Sequence, residues 1–293
     1  MNLADLVTDA ANKGFSGLDA SLLPELRAIR REGPARARRP ALLALLHLGG
    51  ERALDPADLA VLRRLIEMRL PYDRPHTIDG CFNAWLTVRG GDQREIMQVL
   101  GLTRSAPATY GLGEALVAHL GHGGPDGSRT WRHVFISPWL NGWTVVSGPS
   151  CDPNDEPRVE EWVRELSSRY GDAQAYFYGS QGDGDAWLVG SRGQIVRRFS
   201  SEKPETSAGE PLPIEQRTLA RLGLTSPPEW LDGGELWDFV GECGAPQVAA
   251  NMSIDPVSTG WPDDLHIHGQ PLVAWPESDD DVSILRDCYV FRI

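Results

Sequence analysis

Beyond residue 130 the spacing of apolar residues shortens from about 3.6 to 2, and the segment at the change, GHGGPDGSRT over 121–130, holds four glycines and a proline. The two spacings are those of helix and strand, so the chain must change secondary structure there. Before the break, Leu59, Leu62 and Ile66 follow Asp55 and Pro56, an N-cap acceptor and a first-turn residue that needs no N–H partner. Ile78, Cys81, Phe82 and Trp85 recur at i, i+3, i+4 and i+7; Ile96, Val99 and Leu100 follow Asp92; Leu112, Ala115 and Leu116 follow Gly111. With apolar segments at 3–11, 22–31 and 41–48, the pattern predicts helices throughout 1–122, joined by short turns as in an antiparallel bundle.

After the break, strands are expected at 131–137 and 143–147 about the Asn141-Gly142 turn. A helix carrying Val159, Trp162, Val163 and Leu166 ends at Gly171, and AQAYFY, AWLVG and QIVRRF make three more strands, giving ββαβββ. The polar segment 200–213 reads as a loop too poor in apolar groups to pack. Helices are expected at 214–222, 235–243 and 246–252, then strands at 265–275 and 288–293 that complete the sheet, since two isolated strands are marginal alone. The expected fold is α+β: an all-helical domain at 1–122, a glycine-rich linker at 123–130 and an antiparallel-sheet domain at 131–293. The stretch ALLALLHLGGERALDPADLAVLRRLIEMR resembles one helical hairpin of the HEAT-repeat kind, which implies a short solenoid as the alternative to a bundle.

Charge follows the same division: residues 1–130 carry 16 basic and 15 acidic groups, residues 131–293 carry 12 and 26. The acidic half, net −14 within a chain of net −13, disfavours nucleic acid and anionic membrane as partners and favours a basic protein. With no apolar run of spanning length, and with Asp5 and Asp9 where a signal peptide wants positive charge followed by an apolar stretch, the expected location is the cytoplasm. Twenty-six arginines against two lysines suggest a bacterial genome of high GC content.

Chemistry is sparse. Cysteines at 81, 151, 243 and 288 form no close pair, so thiols, not a zinc or redox motif, are expected. The turn YGSQG around Ser180 lacks the spacing of a nucleophile elbow, and neither Cys151 nor Cys243 has an adjacent histidine. His266 and His268 stand two apart, which on a strand puts both imidazoles on one face, as a divalent metal would require. The run GWPDDLHIHGQ resembles the opening of a cupin motif, which implies a metal centre. Positions 271–273, however, are Pro, Leu and Val where that motif wants a glutamate, leaving Asp263, Asp264, His119 or His122 to complete a site. No other cofactor is expected.

Six arginines between Arg27 and Arg39 read as a solvated surface. Of ten tryptophans, Trp139 and Trp143 flank the Asn-Gly turn, where burial is hardest, and are the candidate contact residues together with Asp183, Asp185, Asp279, Asp280 and Asp281. Two readings follow: a bacterial cytoplasmic interaction protein of toxin-neutralising or regulatory type, or an enzyme of secondary metabolism, a hydrolase or cyclase acting on a small-molecule ligand with a metal at His266 and His268.

Overall fold

The computed structural model describes residues 3–11, 15, 18–75, 77–78, 82–121, 132–155, 157–180, 182, 184–226, 234–257 and 265–277. The chain divides into two units, with the break between Asp73 and Arg74. The first is helical over its described residues: α1 (Leu3–Ala11), α2 (Leu23–Glu32), α3 (Ala35–Gly49) and α4 (Pro56–Arg69). Asp55 caps α4 by accepting from the Asp58 N–H at 2.9 Å, and Pro56 occupies the first turn. The clustered arginines link its elements around an apolar core that includes Leu26, Leu45, Leu46 and Leu62. Arg30 meets the buried Asp58 at 2.6 Å, the Arg27 and Arg38 side chains donate to the carbonyls of Ala53 and Gly33, and Arg36 pairs with Asp5.

The second unit is built on one antiparallel sheet. Its strands are β1 (Phe82–Arg89), β2 (Arg104–Pro107), β3 (Val134–Ile136), β4 (Trp139–Leu140), β5 (Trp143–Ser147), β6 (Asp172–Gly179), β7 (Asp185–Ser191), β8 (Gln194–Ser200), β9 (Ile267–His268) and β10 (Leu272–Trp275). Along the main path they run β2-β10-β3-β5-β1-β6-β7-β8, and the β4–β9 pair hangs off β5 as a short ribbon. The fold is α+β, with helices covering both faces. Face one carries Ala84, Leu86, Val88, Val146, Ala175 and Leu188 beneath α5 (Gln93–Leu100) and α7 (Arg158–Tyr170). Face two carries Trp85, Val145, Tyr176, Trp187 and Phe199 beneath α8 (Pro213–Leu222), α9 (Gly234–Glu242) and α10 (Ala245–Met252). At the β3 end of face two, α6 (Tyr110–Gly121) packs Tyr110 on Phe135, ring centroids 5.5 Å apart.

Three expectations need correction. Residues 82–89, expected as helix, form a central strand, paired with β5 on one side and β6 on the other. The run Asn83–Val88 is buried on both faces, and an apolar run of that kind carries no period-2 signal to distinguish it from buried helix. Consequently 74–122 belongs with the sheet and not with an all-helical domain: β1 and β2 both lie in it, and β2 pairs with β10, 165 to 171 residues further on. The expected linker 123–130 lies outside the described residues. Finally, 200–213 packs. Arg198 and Ala208 form a bridge, the Arg197 guanidinium donates to the carbonyls of Ala208 and Gly209, and Ser201 and Leu212 are buried. Backbone and polar groups hold this segment, which an apolar count does not register.

The tail completes the sheet through β9 and β10, as expected; 288–293 lies outside the described residues. The contact of α6 with β3 has a steric requirement. A Cβ on Gly113 would stand 2.0 Å from the Phe135 ring, so Gly113→Ala should lower the free energy of unfolding by about 1–3 kcal/mol even though alanine gains about 1 kcal/mol of helix propensity. Urea titration measures it; a stabilised variant would show that propensity outweighs the overlap.

Candidate functional site

The Asn141-Gly142 turn has φ of 46° and 95°, the left-handed pair that an asparagine–glycine hairpin accommodates. It joins β4 to β5 with Leu140 opposite Trp143, and on its other side β4 pairs with β9, setting Trp139 opposite His268 and Leu140 opposite Ile267. Backbone bonds extend the ribbon: Asn141 N–H donates to the His266 carbonyl at 3.0 Å, and His266 N–H donates to Asn141 Oδ1 at 2.9 Å. Because side chains alternate, Trp139, His266 and His268 share one face, and Trp143 shares the other with the buried Leu140. The two tryptophans expected to form one surface are therefore divided. Trp139 tilts against the His268 ring with centroids 5.2 Å apart, both histidines are exposed, and both tryptophans are half-buried.

The paired spacing of His266 and His268 thus does put them on one face. Among the described residues, no group of three histidine, cysteine or acidic side chains could hold a metal ion. Asp263, Asp264 and His122 lie outside the described residues, as does the side chain of His119.

Of the partner-facing carboxylates, Asp185 is corrected. It is 6% exposed and its Oδ1 accepts the Ala245 N–H at 2.6 Å, at the start of α10. Burial pushes its carboxyl up to about 7 against the opposing effect of that bond, so it serves the joint between β7 and α10 and is not presented to a partner. Asp183, Asp279, Asp280 and Asp281 lie outside the described residues. A second buried carboxyl, Asp152, accepts the Asn154 N–H at 2.8 Å and is also pushed up to about 7, by burial first and then by Asp155 and Glu202. Both described thiols are buried. Desolvation raises Cys151 far above the ordinary thiol range and Cys243 to about 12, which leaves them as thiols and not as nucleophiles.

A polar layer within face two escaped the sequence reading. Ser147, Trp85, Tyr176, Trp187 and Phe199 are register partners on five successive strands, β5-β1-β6-β7-β8, and form one row across the sheet. Trp85 stacks on Tyr176 at 5.1 Å and Trp187 on Phe199 at 4.0 Å. Next to the row, the Thr87 hydroxyl donates to Gln174 Oε1 at 2.5 Å and lies 3.1 Å from Ser253 Oγ. The signal was present in the alternation of β6: Ala173, Ala175 and Phe177 face α7, while Gln174, Tyr176 and Tyr178 face the other way. A polar and aromatic alternate set on a buried strand marks a face with work besides packing.

Among the described residues no helix is long and apolar enough to cross a membrane. No known protein family, curated protein sequence or solved structure matches the chain.

Proposed function

We propose that this chain is a binding protein of the bacterial cytoplasm, toxin-neutralising or regulatory in type, whose basic protein partner docks on the β4–β9 ribbon. The observation that carries the reading is the pairing of a partly buried Trp139 with an exposed His268 on a ribbon that lies off the main sheet path. An indole with one face on a neighbour and the other toward solvent is pre-ordered, so it loses little entropy when a partner covers it. The net −14 of residues 131–293 supports a basic partner by steering its approach, although exposed ion pairs contribute only about 0–1 kcal/mol each and cannot hold a complex by themselves.

The test begins with co-purification from native extract at low salt, followed by binding kinetics with the protein recovered. Trp139→Ala should weaken binding by about 2 kcal/mol, close to 30-fold and mostly in the dissociation rate, while Trp143→Ala, on the inward face, should cost binding far less. Association should slow steeply between about 50 and 500 mM salt as screening shortens. Equal losses in the two variants, or association indifferent to salt, would remove this surface from consideration.

A further inference from the structure

The row across face two contains polar atoms that the fold leaves unused. Ser147 Oγ, Trp85 Nε1 and Trp187 Nε1 are buried with no hydrogen-bond partner among the described residues, on side chains 0–1% exposed. Between them, the buried Tyr176 hydroxyl borders the hydroxyls of Ser253 and Thr87. Buried indole N–H and phenol groups ordinarily find partners, and each one left unpaired costs the native state the desolvation of that group. Phenylalanine at the tyrosine and alanine at the serine would fill nearly the same space without that cost. Three such groups within four consecutive positions of one row mark a place where stability is given up for something else.

The chemistry of the row defines what it would take. Indole N–H groups donate only, and the two hydroxyls donate or accept, so the complement must offer acceptors. It is also taken to be uncharged, because burying an ion costs far more than burying a neutral molecule, and the Arg197 guanidinium on this face is already paired with Glu215. Strands about 4.8 Å apart set these side chains at regular intervals along one face, and most of them are aromatic, which suits a flat molecule. We propose that this layer is a binding site for an uncharged planar molecule rich in hydrogen-bond acceptors, a cyclic amide or nucleobase-like ring, held by Ser147, Trp85, Tyr176 and Trp187. Because these side chains are enclosed, binding requires a transient opening of the helical layer above them, α8 to α10 with the Ser253–Val257 segment that follows.

Thermal unfolding of the full chain with uracil, adenine and nicotinamide, each at millimolar concentration, tests the site. At least one of them should raise the midpoint saturably, by about 5 °C at a hundredfold excess over Kd. Tyr176→Phe and Ser147→Ala, which remove one oxygen each and little volume, should unfold at the same or a higher temperature without ligand and lose most of the ligand-dependent shift. Trp139→Ala, outside this layer, should keep it, which separates this site from the partner surface. No shift with any of the three probes, a full shift in both hydroxyl variants, or a lowered midpoint in both without ligand would overturn the proposal.

Discussion

Replacing Glu215 by alanine should cost about 3–5 kcal/mol of unfolding free energy, as much as truncating a fully buried aromatic side chain. Arg197 and Glu215 are 4% and 0% exposed, and they meet through three contacts, Nε at 3.1 and 3.0 Å and Nη2 at 2.6 Å. Each partner is satisfied beyond the pair. Arg197 also donates to the carbonyls of Ala208 and Gly209, and Glu215 accepts the Leu212 N–H at 2.7 Å as it closes the first turn of α8, where a negative charge also suits the helix dipole. Removing the carboxylate leaves a guanidinium buried beside the Phe199 ring and frees the Leu212 amide. Glu215→Gln, which still offers that amide an oxygen, should lose less. Converting the pair to Met and Leu together should come close to neutral, since it abolishes the buried charges instead of stranding one. Urea unfolding of the single and double variants measures the difference, and equal losses in Glu215→Ala and the double variant would show that packing volume, not charge, sets the cost.

How much of this was legible depended on where each element sits. The caps of α4 and α5 at Asp55 and Asp92, the stripe of α7 and the hairpin at Asn141-Gly142 all follow from local chemistry, and all stand where the sequence placed them. β1 did not, because a strand buried on both sides and a buried helix look alike in a single chain, and the choice is made by neighbours that arrive 54 to 97 residues later. The same non-local choice hid the division of the chain. A glycine-rich stretch at 121–130 reads as a boundary, yet β2 and β3, on either side of it, both pair with β10. Loop composition is a local property, whereas a sheet is assembled from whichever strands pair.

For the site, spacing succeeded and exposure failed. The two-residue step from His266 to His268 placed both on one face, and the register then added Trp139 to them, which no count of tryptophans could do. Asp185 was misjudged because glycine-rich surroundings suggest an open loop, while its carboxyl turns inward to the start of α10. The polar row was legible in part: Gln174, Tyr176 and Tyr178 alternate with apolar residues in the sequence, but that Ser147, Trp85 and Trp187 join them is a property of register alone.

Stability should fall as pH rises from about 4 to 7, and two carboxyls should account for much of the fall. Asp152 and Asp185 both stand near 7 in the folded chain against 3.8 for the ordinary side chain, chiefly through burial. The folded state therefore holds these protons more tightly than the unfolded state does. Its advantage is complete below about 4, shrinks as the unfolded carboxyls ionise, and is gone above about 7, where both states have released them. A shift of roughly three units at about 1.4 kcal/mol each bounds the effect near 4 kcal/mol per group, and relaxation of the surroundings on ionisation reduces it. Asparagine at either position keeps an oxygen for the Asn154 or Ala245 N–H and has no charge to bury. Asp152→Asn/Asp185→Asn should accordingly be more stable than the parent chain at pH 8, by a few kcal/mol, and differ little from it at pH 4. The general repulsion among the chain's other carboxylates acts almost equally on both proteins, so the difference between their urea-unfolding curves isolates the two sites. Parallel curves from pH 4 to 8 would mean that water or local rearrangement solvates these carboxylates in the folded state.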